Sequence, residues 1–281
     1  SNVNEYVSEL ENVSLERTLQ ATGRKTFIGL INYAGSNGFF PTETEFKNAF
    51  SQTLLSGKYN EIPINGMAGN TYNDWLNKIK DNAKTTFNVD TSFSVSNVQV
   101  YQIKPWVINV DATVLFDVSS ESASWSKTVT VKTEISVEDF NDPYYSVKTG
   151  GTYTNRIKQT ETKFDGGNVE KTKDFIRDGK YAHWENSQAP NFISRFTNSI
   201  APSACCGIES LVNPNNPAVT DKDVSYADYK YWSSTPACPN SDLYTINGIS
   251  NGEFPNFKLD FDHVVKHNLI SSATLKCPPT P

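Results

Sequence analysis

Two histidines four residues apart, His263 and His267, follow Asp260 and Asp262, and this is the one cluster in the chain that looks like chemistry. On a helix, positions i and i+4 share a face, so the pair would turn two imidazoles toward one metal ion. A zincin helix places a glutamate directly after its first histidine as general base, whereas Val264 stands there. Two histidines also leave an ion short of ligands unless Asp260 or a distant side chain joins them. The plainer reading is preferred: a surface helix that starts with Asp262 as its N-cap. No metal, cofactor or catalytic residue is assigned.

Cys205 and Cys206 are adjacent, while Cys238 and Cys277 stand alone. Adjacent cysteines would close a strained eight-membered ring. The expected pattern is therefore two bridges, from Cys205 and Cys206 to Cys238 and Cys277, in an order the sequence leaves open. A four-thiolate zinc site is disfavoured because no C-x-x-C spacing occurs. Disulfides imply an oxidising, extracytoplasmic compartment. The Asn12-Val13-Ser14 sequon, a candidate glycosylation site at Asn12, fits an outside surface.

Other chemistry has weaker carriers. No Gly-x-Ser-x-Gly elbow, P-loop or Gly-x-Gly-x-x-Gly fingerprint is present, so neither a nucleophilic serine nor a nucleotide platform is nominated. Glu134, Glu138, Asp139 and Asp142 gather near the end of an expected strand, where a carboxylate pair or calcium site can be imagined, though acidic strand ends are usually just solvated. The stretch 226–232 (YADYKYW) is the better candidate for an exposed aromatic patch that would stack on sugars or anchor a protein interface, with Trp106 and Trp125 assigned to the core; packing of 226–232 inside the disulfide-stapled lobe is the preferred reading.

These residues must be positioned by elements the chain announces by periodicity. Val3, Tyr6, Val7, Leu10 and Val13 recur at three-to-four spacing, continuing through Leu15, Leu19, Phe27, Leu30 and Ile31, which predicts a long amphipathic helix ended at Gly35-Ser36-Asn37-Gly38. Thr42 with Glu45 reads as a capping box that opens a second helix over 43–56, closed by Gly57, and 71–87 reads as a third that buries Trp75, Leu76, Ile79 and Ala83. The period then falls to two. Ile108, Val110, Ala112, Val114, Phe116 and Val118 alternate with polar residues, Leu115 excepted, and Trp125, Val129, Val131, Thr133, Ile135 and Val137 do the same. Phe93, Val95, Val98 and Val100 form an earlier strand with a slip at Ser96-Asn97, the mark of a bulge.

Beyond Asn141-Asp142-Pro143 the pattern thins. Residues 148–180, with Gly150-Gly151 and Gly166-Gly167, read as hairpins or helix fragments between loops. Residues 189–196 read as a short helix with Phe192, Ile193 and Phe196 on one face. The remainder, punctuated by Pro214, Pro217, Pro236, Pro239 and Pro255, reads as irregular with short strands at 244–246 and 257–261. The fold class is α+β: a long N-terminal helix and two further helices on an antiparallel meander sheet, followed by a loop-rich, disulfide-stapled C-terminal region. The expected division is 1–147 and 148–281, which a single continuous domain would also accommodate.

Composition bounds the partners. Aromatics at 12% argue against disorder, and a net charge of −6 from 25 basic and 31 acidic residues excludes a phosphate-binding footprint, hence nucleic acid. No run approaches the ~20 apolar residues of a membrane helix. The chain opens Ser1-Asn2 without a signal peptide, which reads as a trimmed terminus that has lost an export signal or anchor.

Four stretches carry a resemblance: Pro105-Trp106-Val107-Ile108-Asn109-Val110; the run Ile135-Ser136-Val137-Glu138-Asp139-Phe140-Asn141-Asp142-Pro143-Tyr144-Tyr145 behind Trp125; Ala189-Pro190-Asn191-Phe192-Ile193-Ser194-Arg195-Phe196; and Gly207-Ile208-Glu209-Ser210-Leu211-Val212-Asn213-Pro214. With the N-terminal helix they resemble the ectodomains of archaeal cell-surface proteins of the type IV pilin-like kind, made with a class III signal peptide, a group of uncharacterised function. The resemblance implies a location, extracellular at the cell surface, with membrane attachment only through an N-terminal anchor that this chain lacks. It implies no catalytic residue. The vicinal cysteines look like an elaboration on that plan. The expectation is a non-enzymatic ectodomain of a surface-anchored or pilus-associated envelope protein, acting in adhesion or interaction with other cell-surface proteins or glycans. The alternatives are a secreted hydrolase using a carboxylate pair or the histidine–aspartate cluster of the C-terminal lobe, and a glycan-binding module at 226–232.

Overall fold

The computed structural model describes residues 2–160, 167–220, 222–233, 238 and 242–277. The chain divides into two compact units, one of Ser1–Tyr33 with Phe40–Ser136 and the other of Ala34–Phe39 with Val137–Pro281.

The first unit opens with a helical run: α1 (Asn2–Glu9), a π-helical turn (Leu10–Ser14) and α2 (Leu15–Asn37). The π turn explains the stripe. Tyr6 and Leu10 are four apart, as are Leu15 and Leu19, but Leu10 and Leu15 are five apart; all four are buried, because one extra residue rephases the helix. α3 (Glu43–Ser56) begins at Thr42, whose hydroxyl accepts from the Glu45 amide, and ends at Gly57 in the left-handed conformation. The expected return arm of this capping box is diverted, since the Glu45 carboxylate takes the Tyr59 hydroxyl at 2.5 Å. A two-residue hairpin, β1 (Lys58–Tyr59) with β2 (Ile62–Pro63), leads to α4 (Tyr72–Phe87), where Thr71 and Asp74 form a full capping box. α4 buries Tyr72, Leu76 and Ala83. Trp75 is exposed instead, with the Lys78 ammonium 4.1 Å above its ring, and Ile79 is half-buried, because the inward stripe runs Tyr72, Leu76, Ile79, Ala83 and Trp75 falls beside it.

β3 (Asp90–Lys104), β4 (Val107–Ser119) and β5 (Ser124–Ser136) form the antiparallel meander in the order β3-β4-β5. Every inward residue of β4 expected from the alternation, Ile108 through Val118, is fully buried, and Leu115 is 40% exposed on the other face. Register between β3 and β4 shifts between Ser96 and Gln99, with Asn97 at φ 48°, so the expected bulge is present. Trp106 and Trp125 are half-buried at the ends of the sheet rather than in its core. α2 packs closely on the edge strand β5. A Cβ on Gly23 would lie 2.6 Å from Ile135 Cδ1, and Gln20 donates to the Glu134 carbonyl at 2.8 Å. Arg24 donates to the Ser136 carbonyl at 3.3 Å, so side chains occupy part of the unpaired strand edge.

The second unit has little regular structure. α5 (Pro143–Lys148) starts at Asp142, α6 (Val169–Asp178) at Asn168, and a 3-10 turn covers Ile193–Thr197. α7 (Asp228–Ser233) precedes β6 (Leu243–Ile246) and β7 (Lys258–Asp260); then come α8 (Phe261–Lys266), a 3-10 turn (Ile270–Ser272) and β8 (Ala273–Cys277). β6 pairs with both others in the order β7-β6-β8, a small sheet of which the sequence reading held two strands and missed β8. Gly166, Pro236 and Pro239 lie outside the described residues.

Both disulfides lie in this unit, and their pairing corrects the expectation. Cys205 bonds to its neighbour Cys206, and Cys238 to Cys277, 39 residues on. Sheet pairing selects the partners: Cys277 lies opposite Leu243 across β8 and β6, close in sequence to Cys238, which leaves the vicinal pair to itself.

Candidate functional site

The chemistry-bearing side chains of the second unit collect around one short segment, residues 207–211. It is held by backbone ladders on both sides: Ile208 N donates to Pro190 O, Glu209 exchanges bonds with Ala182, and Leu211 bridges Ala227. Gly207 is required here, because a Cβ would run into Ala189 O and Ser187 Oγ. From this segment, the successive side chains of Glu209 and Ser210 and the Ile208 carbonyl reach two buried clusters.

The first cluster centres on Arg195, which is fully buried. Its Nη1 donates to Asp142 Oδ2 at 2.6 Å and to Asp228 Oδ2 at 2.8 Å, and its Nη2 donates to the Ile208 carbonyl. Asp142 also caps α5 through the Tyr144 amide and accepts the Tyr181 hydroxyl at 2.7 Å. Asp228 accepts from the Tyr229 amide and from Ser210 Oγ, which itself meets Tyr145 Oη at 2.9 Å. The guanidinium lies 4.8 Å from the Tyr144 ring centre, a stacking that a weakly hydrated cation favours. Two carboxylates share one cation in a dry site. Burial therefore pushes Asp228 up to about 6, with Arg195 opposing and Asp142 adding to the rise. The Tyr145 and Tyr181 phenols are pushed well above their ordinary value, again by burial.

The second cluster is the one the sequence singled out. Asp260 ends β7 and is the N-cap of α8, its Oδ1 accepting from the His263 amide, so the cap is Asp260 and not Asp262. The helix is not a surface start either. His263 and His267 are buried, because α8 is set inward behind Glu209 and the aromatic rings of Tyr229, Phe175 and Trp184. His263 Nδ1 donates to the Asp260 carboxylate at 2.8 Å, and its Nε2 lies 3.2 Å from Glu209 Oε1, an ion contact off the hydrogen-bond axis. Lys230 pairs with Asp260 at 3.0 Å and Lys266 with Glu209 at 3.3 Å. Burial pulls the His263 imidazole down, but Glu209 and Asp260 outweigh it and leave it raised to about 9. Burial likewise pushes Glu209 up, and the His263 cation outweighs that, holding it down at about 2; Asp260 is lowered in the same way. His267 moves oppositely: burial and the neighbouring His263 charge lower it to about 3.

This arrangement is ill-suited to acid–base catalysis. A general base must lose its proton near working pH and reach substrate. His263 is held charged at neutral pH, with a carboxylate against each ring nitrogen and no exposed surface. Among the described residues, no group of three or more His, Cys, Asp and Glu is arranged to hold a metal ion. Two cavities stand apart from the cluster. One, of about 440 Å³, is lined by Thr245, Asn247, Ser250, Asn251, Ser272 and Thr274. The other, in the first unit, is about 510 Å³ and is lined by Glu16, Gln20, Tyr101, Asp111, Lys132 and Glu134.

The other candidates disperse. Tyr226, Tyr229, Tyr231 and Trp232 are all buried; Trp232 meets Tyr145 and Tyr231 edge to face, Tyr226 packs at a tilt on Tyr231 and Phe257, and Tyr229 packs on His263, so the stretch 226–232 is core, as preferred, and the glycan-binding reading loses its platform. Of the four carboxylates, Glu134 pairs with Lys104 at 2.9 Å in the first unit, Glu138 and Asp139 are exposed, and Asp142 serves Arg195. Asn12 is exposed on the π-helical turn, its amide donating to the Ser8 carbonyl at 2.9 Å. Arg195, Asp228 and Glu209 were missed as partners, and only their charge inside weakly patterned apolar stretches marked them. No family model, curated protein or solved structure matches the chain, so the roles assigned here rest on its own geometry.

Proposed function

We propose that this chain is a non-enzymatic extracellular ectodomain, surface-anchored or pilus-associated in the type IV pilin-like manner of archaeal envelope proteins, acting by adhesion to or interaction with other surface proteins or glycans. The observation that carries the reading is the state of the cysteines. All four are in disulfides, and both bridges lie in the unit with the least regular structure, as in proteins that mature under oxidising conditions. Burial of the histidine–carboxylate cluster supports the non-enzymatic part, because the residues that a hydrolase would use already satisfy one another. The net charge of −6 disfavours nucleic acid as partner. No described helix is long and apolar enough to cross a membrane.

Alkylation under denaturing, non-reducing conditions, followed by mass spectrometry of protein from its native source, tests the compartment. The expected result is no alkylated cysteine; four alkylated cysteines overturn the extracellular reading. Reading the gene upstream of Ser1 tests the anchor, with a class III signal and a hydrophobic helix as the expected finding.

A further inference from the structure

We propose that the Cys205–Cys206 bridge is a thiol-exchange site, opened by an external dithiol, and that its opening releases the segment serving both buried charge clusters. Cys205 is exposed whereas Cys206 is fully buried. A thiolate from solvent therefore reaches the Cys205 sulfur, and Cys206 is the leaving group. The attack forms a mixed disulfide at Cys205 and breaks the Cys205–Cys206 bond. The second thiol of the reagent then displaces Cys205 and closes its own disulfide. The reagent is oxidised by two electrons, the bridge is reduced by two, and two protons pass from the dithiol to the cysteines. Ser203 Oγ lies 3.7 Å from Cys205 Sγ, in place to hydrogen-bond the sulfur as it is released.

The consequence follows from what the bridge fixes. A bond between adjacent residues joins no distant strands; it fixes the turn that contains it. That turn is closed by Cys206 N and Gly207 N donating to Ser203 O, and it is tied down by Ser203 N donating to Ala189 O. Gly207 O then accepts from His183 Nδ1 at 2.7 Å, and the residues that follow are the ones the clusters use, starting with Ile208 O, which accepts from Arg195. Beyond it, the Glu209 carboxylate faces His263 and Lys266, and Ser210 Oγ donates to Asp228. Cys238–Cys277 answers differently, because Cys277 is seated in β8, opposite Leu243 of β6, and that strand pairing keeps its sulfur in place for reclosure after any reduction.

Timed alkylation of the native protein in limiting dithiothreitol, read by peptide mapping, tests the site, and hydrogen exchange on the same samples tests the release. Cys205 and Cys206 should be alkylated about tenfold faster than Cys238 and Cys277. The amides of residues 206–209 should then exchange about tenfold faster, while those of β4 are unchanged. Equal rates at the two bridges, or Cys238 and Cys277 leading, overturns the exchange site. Unchanged exchange at 206–209 once the vicinal pair is open overturns the release. The double variant C205S/C206S should show the exchange pattern of the reduced protein, and the pattern of the oxidised protein would equally overturn the release; should the variant not fold, the wild-type time course decides alone.

Discussion

β4 of the first unit buries Ile108, Val110, Ala112, Val114, Phe116 and Val118, whereas the second unit buries Arg195, Asp142, Asp228, Glu209, Lys258 and His263. A meander satisfies its own backbone groups, so its inner face needs only apolar side chains of the right size. A unit with little regular structure leaves many carbonyls and amides unpaired by ladders, and buried polar side chains meet them instead. Arg195 meets the Ile208 carbonyl, Asp142 the Tyr144 amide, Asp228 the Tyr229 amide, and Lys258 the Lys222 carbonyl. The two solutions differ in how they fail. An apolar face loses stability in proportion to the volume removed. A buried ion network contributes little net when whole and costs much when one partner goes, because the remaining charges are stranded.

The largest effect is therefore expected at Arg195. Arg195→Met keeps the length of the side chain but leaves Asp142 and Asp228 facing each other in a dry core, and it should cost the second unit about 3–5 kcal/mol. Hydrogen exchange at Ile208 and Glu209 reports it, with the amides of β4 as the internal control. A loss of under about 1 kcal/mol would mean that the network is dispensable and that the second unit is apolar-driven like the first. Next comes the long-range bridge. Removing Cys238–Cys277 by C238S/C277S frees a loop of sequence separation 39 and should cost about 2–4 kcal/mol by chain entropy, read from denaturant unfolding.

The same contrast governs how much could be read in advance. β4 and β5 were legible because each strand carries its own period, α3 because Thr42 and Gly57 sit at the ends where caps are needed, and α4 from its apolar spacing at Leu76, Ile79 and Ala83. The second unit's organisation is written across the chain instead. Arg195 is 53 residues from Asp142 and 33 from Asp228, and neither spacing leaves a local trace. His263 and Asp260 were visible as a cluster, being three apart, but Glu209 was not, and without it burial of the imidazolium had no rationale. The vicinal disulfide ran against the ring-strain expectation because pairing of β8 with β6 had already claimed Cys277 for Cys238.

Titration separates the units further, and each sign can be worked out. His263 is raised from 6.5 to about 9, so its contribution is complete below 6.5 and lost as pH rises through 9. Glu209 is lowered from 4.5 to about 2, so its contribution is present above 4.5 and lost as pH falls through 2. His267, lowered from 6.5 to about 3, contributes fully above 6.5 and loses that contribution as pH falls through 3. Asp228, raised from 3.8 to about 6, acts the other way: its contribution is full below 3.8 and is lost as pH rises through 6. Between 6.5 and 9 only His263 of these four is changing, and the second unit should lose about 2–3 kcal/mol across that window. His263→Gln should flatten this limb in exchange measurements at residues 208 and 209. A limb that persists in the variant would assign the titration to another group.

The smallest effect belongs to the most local feature. Thr71 accepts the Asp74 amide at 3.0 Å, and Asp74 returns a bond to the Thr71 amide at 3.0 Å, a local exchange that needs nothing beyond four consecutive residues. Thr71→Ala removes one arm and should cost the first unit about 1 kcal/mol, the usual cost of losing an N-cap hydroxyl. Exchange should rise in the first turn of α4 and stay unchanged at 208 and 209. A cost near that of Arg195→Met would show that the first unit also depends on specific polar bonds, and the difference between the two units would then lie in the amount of regular structure rather than in how each is held together.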